Sequence, residues 1–389
     1  MHARKPSQVQ CAFVSIFIVF ILLCVEVGAY VSLKILQVFP TAKALFYSPP
    51  ELSIEEYREY LKIRDSRLGW PNPDQVGGDR FDITGSRPIP TFPTPGNECI
   101  SLYGDSFTYG DEVSNADAWS NVLSVLLECR VANYGVPGYG TDQAYLRFEG
   151  NETDVAPVTI LGVYALELLR NISQYLYFQL GGNSSGDTPK TFKPRFILRD
   201  RRLELVPLPY IPTNQLEAFL AAPHQFLPHE TFLPGTQFGP SRVTFPYVLT
   251  MLRLVWNERV ITKLRGQPSW FAFAKPGHPS QALEVTVGIV EKFASLCRQR
   301  GKRCLVVLFP TGSSYNYYRK TETLALQSLG EVLQRFGIDA LDVTPGLAQY
   351  LGEQSYCTLL TACSNGHYNP EGNRVVARLI HARLVQNRF

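Results

Sequence analysis

The chain has 389 residues, which is more than one domain of ordinary size, so one large domain with insertions and two domains are both compatible with its length. Hydrophobic residues make up 45% of it and charged residues 18%, below the roughly 25% of an average soluble domain, and this excludes a disordered chain. A formal net charge of +3 is too small to indicate a nucleic-acid partner. The 28 prolines and 29 glycines predict a globular protein rich in loops.

The N-terminus is predicted to cross a membrane. Residues 11–32 form an apolar run broken by Glu26, and the preceding tail, residues 1–10, is basic. Roughly 20 apolar residues span a bilayer, and basic residues before them place the tail in the cytoplasm and the rest of the chain outside. A cleaved signal peptide is the alternative, because residues 27–29 are small. Either interpretation predicts an extracytoplasmic main part.

The cysteines support an exported protein. Two of the eight lie in the apolar run and six remain. No CxxC spacing or paired histidine accompanies them, so a zinc site is not indicated, and disulfides suit an oxidising exterior. Six cysteines allow 15 connectivities. We expect pairing between neighbours in sequence, that is, Cys99 with Cys129, Cys297 with Cys304 and Cys357 with Cys363.

The remainder divides into a lead-in segment, residues 33–95, and a main domain, residues 96–389. The lead-in is proline-rich and contains one short helix within residues 51–63. In the main domain strands alternate with helices, which predicts a parallel α/β sheet covered on both faces. The predicted strands are 99–103, 131–134, 157–163, 304–309 and 340–343, and the predicted helices are 118–129, 169–177, 282–298, 321–336 and 369–385.

Residues 180–280 interrupt this alternation. They begin with the flexible turn GGNSSGD, continue with a segment that resembles a hairpin, residues 193–209, and end in proline-rich and aromatic sequence. We interpret the block as an insertion. At the carboxyl end of a strand it would lie over the ligand crevice, and otherwise it is a peripheral decoration.

The first chemical signal is the turn GDSFTYG, residues 104–110, between a predicted strand and a helix. The carboxyl end of a parallel strand is where such sheets bind ligands, and the following helix offers backbone N–H groups to an oxyanion. Ser106 is therefore a candidate nucleophile, with Asp105 beside it at the substrate site. Capping of the helix by Asp105 or Ser106 is the structural alternative.

Two further segments have chemical potential. Residues 133–140, NYGVPGYG, also follow a strand, and the backbone N–H of Gly138 can face the same oxyanion. Residues 364–372, SNGHYNPEG, precede the last helix, and the imidazole of His367 can remove a serine proton. An ordinary loop and a structural histidine are the alternatives.

In this order and spacing, GDSFTYG, NYGVPGYGTDQ and NGHYNPEGN resemble the first, second and last blocks of the SGNH/GDSL hydrolase superfamily. The resemblance implies a flavodoxin-like α/β/α sandwich, a nucleophilic Ser106 and its base His367. It also implies an oxyanion hole formed by Gly138 and the Ser106 backbone, and it requires neither a cofactor nor a metal. Anchored members with an exported domain resemble enzymes that add or remove acetyl groups on surface polysaccharides.

The chain departs from the family pattern in the third block, where the family has an asparagine that helps to bind the oxyanion. Here the residues after the third strand include Glu167, Arg170 and Asn171, any of which is a candidate for that position. Glu167 would repel an oxyanion unless it were protonated or turned away, and a structural salt bridge with Arg170 or another cation is its alternative role. Loss of one oxyanion donor costs ~3 kcal/mol of transition-state stabilisation.

A second departure concerns the acid that orients the histidine. The family places Asp two or three residues before it, whereas this chain has Asn365 and Ser364. An amide can orient an imidazole but cannot stabilise its cation, and in the serine-protease template the Asp to Asn change costs ~10⁴ in rate. We therefore expect a Ser106–His367 dyad assisted by Asn365, with Asp342 as an alternative partner.

The sequence thus predicts a serine-dependent ester hydrolase or O-acyltransferase. Its expected substrate is an ester or acetylated carbohydrate, its site is expected to be extracytoplasmic, and its expected partners are the membrane and an envelope polysaccharide machinery. The alternative is a catalytically impaired SGNH-like domain that binds a glycan or a protein partner. A phosphate-binding domain is not indicated, because the GDSFTYG turn lacks the lysine and glycine cradle of a P-loop.

Overall fold

The structure is a computed structural model that describes residues 8–71, 77–180, 192–363 and 366–387. The chain divides into two compact units, which are described separately. The first unit comprises residues 1–51, 177–189 and 231–266, and the second comprises 52–176, 190–230 and 267–389.

The second unit is built on a five-stranded parallel sheet with the strand order β2-β1-β3-β6-β7, and β4 and β5 form a separate antiparallel hairpin. Without the hairpin this is the 2-1-3-4-5 order of flavodoxin-like sheets, so the predicted fold class is confirmed. The strands are β1 Glu98–Tyr103, β2 Arg130–Asn133, β3 Val158–Tyr164, β4 Arg195–Arg199, β5 Arg202–Val206, β6 Arg303–Phe309 and β7 Ala340–Asp342.

Helices cover the sheet because its central strands consist mainly of apolar residues. Every residue of β3 is buried, which is the pattern of a strand enclosed on both faces. The helices of the chain are α1 Gln8–Val38, α2 Pro40–Lys43, α3 Ile54–Ile63, α4 Ser106–Tyr109, α5 Trp119–Leu127, α6 Thr141–Gly150, α7 Glu167–Arg170, α8 Leu176–Gln179, α9 Leu216–Ala221, α10 Tyr247–Val255, α11 Glu258–Leu264, α12 Ala282–Gln299, α13 Gly312–Thr321, α14 Gln327–Arg335, α15 Thr344–Leu351 and α16 Pro370–Gln386.

Two predicted helices are placed differently. The predicted helix 169–177 is divided between α7, which ends at Arg170, and α8, which begins at Leu176. Residues 321–336 were expected to be helical throughout, but the helix there, α14, begins at Gln327, and the additional helix α13 ends at Thr321. Thr311 caps α13 with its side chain, and Glu322 has a left-handed φ of 57° that ends it. The capping residues, rather than the apolar periodicity, therefore set these boundaries.

Two of the three expected disulfides are formed, Cys99–Cys129 and Cys357–Cys363. The third expected pair is wrong for this structure, because Cys297 and Cys304 are free thiols. Cys297 is buried in α12 and Cys304 begins β6, and the two thiols interact through a hydrogen bond. That hydrogen bond, and then burial, raises the pKa of Cys297, whereas the same hydrogen bond lowers the pKa of Cys304 against the opposing effect of burial.

The first unit is organised around α1, which is long and apolar enough to cross a membrane. Leu33 of α1 packs with Phe46 and with Leu254 of α10 in a small hydrophobic core. Backbone hydrogen bonds join the chain just after α1 to Ser241, whose N–H donates to the carbonyl of Leu45 at 2.7 Å. These contacts join segments that are far apart in sequence.

Candidate active site

Ser106 lies where β1 ends and the short helix α4 begins, and the residue is 5% exposed. Asp105 caps α4: its Oδ1 accepts hydrogen bonds from the N–H groups of Phe107 at 2.9 Å and Thr108 at 3.4 Å. The first N–H groups of a helix have no partner within the helix, and the cap occupies those of Phe107 and Thr108. The Ser106 N–H is left available to an oxyanion.

The second block is joined directly to this turn. The Asn133 amide donates to the carbonyls of Thr108 at 2.9 Å and Tyr109 at 3.2 Å. Further along the same block Gly138 has a φ of 87°, a left-handed value that favours glycine, and the indole of Trp70 lies 3.4 Å from where a Cβ would be. The backbone of Gly138 is therefore held in a conformation that other residues rarely adopt.

His367 reaches Ser106 from the loop before α16. Its Nε2 lies 2.8 Å from Ser106 Oγ, shorter than the 3.3 Å between Oγ and Asp105 Oδ2. The loop is fixed because Tyr368 is buried in the core and Asn369 caps α16 through a bond from the Gly372 N–H. The structure thus brings together the two residues predicted as nucleophile and base.

A carboxylate lies beside His367 at a position that the sequence analysis missed. Glu112 Oε1 lies 3.0 Å from His367 Nδ1, an ion-pair distance, although the contact does not have the geometry of a hydrogen bond. Catalytic hydrogen bonds are often poorly aligned without substrate. Glu112 Oε2 accepts hydrogen bonds from the His367 backbone N–H at 3.2 Å and from the Thr361 hydroxyl. The sequence analysis expected a Ser106–His367 dyad assisted by Asn365, and the structure adds the carboxylate of Glu112 beside the histidine.

Of the two residues considered for the orienting role, the structure describes Asp342 alone. Asn365 lies outside the described residues, and its assistance to the histidine stays a prediction. Asp342 instead accepts a hydrogen bond from the N–H of Thr344, the first residue of α15, at 2.8 Å, while its burial raises its pKa.

The carboxyl of Glu112 is arranged to stay ionised. Burial opposes its charge, but hydrogen bonds from Thr361 and His367 outweigh this and lower the pKa of Glu112. The side chain of Glu112 is 42% exposed and that of His367 is 19% exposed. An ionised carboxylate beside Nδ1 stabilises the tautomer in which Nε2 can accept the serine proton.

Arg87, from the segment treated as a lead-in, holds the turn that carries Glu112. Its buried guanidinium donates to the carbonyls of Tyr109 and Val113, each at 2.7 Å, and to the side chain of Asn115 at 2.8 Å. These acceptors lie on both sides of Glu112 in sequence. One arginine thus fixes the path of the chain between nucleophile and acid, and an isolated arginine gives no sequence signal of this role.

The three residues considered for the missing asparagine lie in a buried cluster. Asn171 is fully buried and donates to the Thr286 hydroxyl at 2.8 Å, so its amide is used within the fold. Arg170 donates to the carbonyl of Tyr139 at 2.8 Å, and its guanidinium lies 3.5 Å from Asp105. Of the three, Arg170 has a direct contact with the residue next to Ser106.

Glu167 accepts a hydrogen bond from the Thr141 hydroxyl through Oε2, and its Oε1 is buried without a hydrogen-bond partner. Burial and, second, the charge of Asp105 raise the pKa of Glu167 well above its ordinary value. The raised pKa favours the protonated form of Glu167, and a protonated carboxyl does not repel an oxyanion. Of the two alternatives in the sequence analysis, a salt bridge with Arg170 is not formed, because Arg170 pairs with Asp105 instead.

The rest of the cluster balances its charges in pairs. Lys193 and Asp142 form a fully buried ion pair, and Asp105 faces Arg170. Burial raises the pKa of Asp105, with Arg170 opposing the shift. When Glu167 is protonated, it adds no unpaired negative charge to these two ion pairs. Among the residues that the structure describes, no group of three or more His, Cys, Asp or Glu side chains is arranged to hold a metal ion.

No protein-family model matches the chain, and no curated protein matches its sequence. Solved structures do match it at low identity. A member of the lipolytic protein G-D-S-L family from Veillonella parvula is 12% identical, with a TM-score of 0.34, 75% of this chain and 98% of that one covered. The acetyl xylan esterase AlAXEase is 10% identical, with a TM-score of 0.37, 73% of this chain and 98% of that one covered. A two-domain esterase active on acetylated mannans, CEX, is 10% identical, with a TM-score of 0.32, 74% of this chain and 48% of that one covered.

The architecture itself defines the class. A five-stranded parallel sheet in the 2-1-3-4-5 order carries the GDS turn after its first strand and the histidine loop before its last helix. Ser106 and His367 meet at the carboxyl end of β1, where that order changes direction. The chain has the fold of the SGNH/GDSL hydrolase superfamily.

Proposed function

We propose that the protein is a serine esterase or O-acyltransferase whose catalytic residues are Ser106, His367 and Glu112. The observation that carries the proposal is the row of contacts Ser106 Oγ–His367 Nε2 at 2.8 Å and His367 Nδ1–Glu112 Oε1 at 3.0 Å. A nucleophile, a base within hydrogen-bond reach and an acid that orients the base are the elements of covalent acyl transfer.

In the proposed reaction the Ser106 hydroxyl oxygen attacks the carbonyl carbon of an ester, and His367 Nε2 takes its proton. The carboxylate of Glu112 stabilises the imidazolium, and the N–H groups of Ser106 and Gly138 stabilise the oxyanion. Collapse breaks the ester bond, and the imidazolium returns the proton to the departing alkoxide. Attack by water or by a sugar hydroxyl on the acyl-enzyme then regenerates Ser106.

The alternative of an impaired binding domain rested on two departures from the family pattern. The first, the absent acid, is weakened by Glu112, because a binding domain has no need of a carboxylate held beside the histidine. The other departure, the absent asparagine of the third block, remains in part, since the amide of Asn171 bonds to Thr286 within the fold. Loss of that donor slows such an enzyme by an amount that corresponds to ~3 kcal/mol without abolishing turnover.

The finer parts of the proposal are the substrate and the location. We propose an acetylated carbohydrate as substrate, from the resemblance of the three sequence blocks to enzymes of surface polysaccharides. We propose that α1 is a retained anchor and that the catalytic domain lies outside the cytoplasm. Retention is supported by the continuity of α1 through residues 27–29 and by the packing of Leu33 against α10.

A serine-directed fluorophosphonate tests the proposal on the full-length chain in detergent. We expect one adduct by intact mass, located at Ser106, and hydrolysis of p-nitrophenyl acetate by the same preparation. Ser106→Ala should lose both, whereas Ser114→Ala, which changes an exposed serine of the following turn, should lose neither.

Folded protein that forms no adduct and hydrolyses no activated ester would contradict the enzymatic proposal and favour the binding domain. Labelling without release of acetate from acetylated xylan or mannan would reject those substrates alone. Addition of an oligosaccharide acceptor then separates the two reactions: transfer gives an acetylated product, and hydrolysis gives free acetate.

A further inference from the structure

The apolar helix α1 contains two charged residues, Glu26 and Lys34. Glu26 Oε2 accepts a hydrogen bond from the backbone N–H of Tyr247 at 2.6 Å. Tyr247 is the first residue of the nine-residue helix α10, so the carboxylate lies at a helix N-terminus, where unpaired N–H groups and the helix dipole favour an anion. The one acidic group of the apolar helix is thereby satisfied from within the first unit.

Helix α10 lies along the C-terminal part of α1 and runs in the same direction. Tyr247 packs on Tyr30 with ring centroids 4.9 Å apart, and Leu254 packs on Leu33 one helix turn further along α1. Glu26 lies six residues before the end of the apolar run at residue 32, which corresponds to about 9 Å of helix. The start of α10 is therefore level with a part of α1 well inside the apolar run.

The face of α10 that points away from α1 is apolar and exposed. Leu249, Leu252 and Trp256 follow one another at helical spacing and are 46%, 55% and 75% exposed. Val255 beside them is 64% exposed, and Phe245 just before the helix is 73% exposed. Large apolar side chains in a continuous stripe mark an interaction surface rather than a face suited to water.

Backbone polar groups of the turn before α10 are bonded within the first unit. The Thr250 hydroxyl accepts from the Thr244 N–H at 3.4 Å and donates to the Thr244 carbonyl at 3.0 Å. Pro246 has no N–H, and the N–H of Tyr247 is bonded to Glu26. Internal satisfaction of the backbone is what a lipid environment demands, because the hydrocarbon offers no hydrogen-bond partner.

We propose that residues 244–256 are immersed in the lipid leaflet that surrounds the C-terminal part of α1. The occupant of the exposed stripe is phospholipid, because the stripe is continuous with α1, whose own apolar side chains are exposed along its length. Trp256 and the exposed Arg253 end the helix with residues that favour the headgroup region. The inference rests on the proposed retention of α1 as an anchor, and it makes that anchor a two-helix element.

Quenching of Trp256 by brominated lipid tests the inference. The full-length chain is placed in nanodiscs at one chain per disc, with phospholipids brominated on the acyl chains or unmodified, and the emission of Trp256 is taken as the difference between wild type and Trp256→Phe. We expect this difference emission to be blue-shifted and strongly quenched by bromine. The matched control is Trp270→Phe, since Trp270 is 1% exposed and buried inside the second unit, and its difference emission should be unaffected.

Leu252→Glu gives a second test, because it places a charge at the centre of the stripe and should abolish the bromine quenching of Trp256. Emission that is quenched by aqueous acrylamide and not by bromine overturns the inference in favour of a water-exposed face. Emission shielded from both overturns it in favour of a protein partner on the stripe.

Extraction of vesicles with alkaline carbonate reports separately on the anchor. A chain that resists extraction but shows no bromine quenching refutes the lipid contact of α10 alone. A chain that is extracted refutes the retained anchor of the proposed function, and the present inference with it.

Discussion

Glu112 has a backbone φ of 65°, in the left-handed region where non-glycine residues are uncommon. Such a conformation costs of order 1 kcal/mol and persists only where surrounding contacts over-determine it. Here those contacts are the Arg87 clamp on the turn and the bonds from Thr361 and His367 to the carboxylate. The strain is thus located at the residue that we propose as the orienting acid.

At the residue scale we predict that Glu112→Gln lowers kcat about 10² to 10⁴ fold with little change in KM. The amide keeps the size of the side chain but cannot stabilise the imidazolium, and the exposure of Glu112 places the effect towards the lower end of that range. Steady-state hydrolysis of p-nitrophenyl acetate measures it.

The matched control for this change is Asp111→Asn, which removes the neighbouring carboxylate. We expect it to leave kcat within a few fold, because its side chain makes no contact with His367 in the described structure. A glutamine variant as active as wild type, or an equal loss in the Asp111 variant, would contradict the role given to Glu112.

At the scale of elements, the segment between α15 and α16 shows how the position of His367 is fixed. The Cys357–Cys363 disulfide closes a short loop just before His367, and the backbone of Thr361 bonds to the carbonyl of His367 at 2.9 Å. The other disulfide, Cys99–Cys129, lies at the start of β1, at the end of the strand opposite to Ser106. The Cys357–Cys363 disulfide therefore lies close to His367, whereas the Cys99–Cys129 disulfide lies away from Ser106.

We predict that replacing Cys357 and Cys363 by serine lowers kcat, while replacing Cys99 and Cys129 does not. Chain entropy gives the opposite order for stability, about 2 kcal/mol for the 6-residue separation and about 4 kcal/mol for the 30-residue separation. Denaturant unfolding of both double variants measures their loss of stability, and steady-state kinetics measures their loss of kcat. A loss of kcat that merely follows the loss of stability would show that the short disulfide has no specific part in holding His367.

The elements also show what could be predicted from the sequence and what could not. The strands were predictable because their apolar runs are short and bounded by turns, and Ser106 and His367 because each lies in a local motif after or before a regular element. Glu112 was missed because the family pattern directs attention to the residues before the histidine. Its contact with His367 joins positions 255 residues apart, and no local pattern records such a contact.

At the scale of the whole molecule, the same reasoning explains the two other differences from expectation. Arg87 lies in a segment with little periodicity, yet its guanidinium is buried and clamps the nucleophile turn, so sequence alone assigned that segment no role at the site. Cys297 and Cys304 are close in sequence and in space, but proximity does not decide whether two thiols are joined. Neither long-range packing nor the redox state of two thiols can be inferred from the composition of the chain and the spacing of its residues.

The buried cluster beside the site makes the stability of the protein depend on pH through Glu167. An unfolded glutamate has a pKa of about 4.3, and the folded pKa of Glu167 is raised well above this, chiefly by burial. As pH rises above about 4.3 the unfolded chain releases this proton while the folded chain keeps it, so unfolding becomes more favourable. The stability that protonated Glu167 confers is therefore complete below the unfolded pKa and is lost as pH rises towards the folded pKa.

We predict that Glu167→Gln flattens this dependence, because an amide of the same shape does not ionise. Thermal unfolding between about pH 5 and pH 9 should show the difference in midpoint between variant and wild type growing with pH, in favour of the variant. Between the unfolded and folded pKa values of Glu167, each rise of about one in pH removes about 1.4 kcal/mol from the free energy of unfolding of wild type. Glu217→Gln, at an exposed glutamate of α9, is the control and should run parallel to wild type. Parallel profiles for Glu167→Gln as well would mean that Glu167 is ionised in the folded protein, and its negative charge beside Asp105 would then have to be accommodated during oxyanion formation.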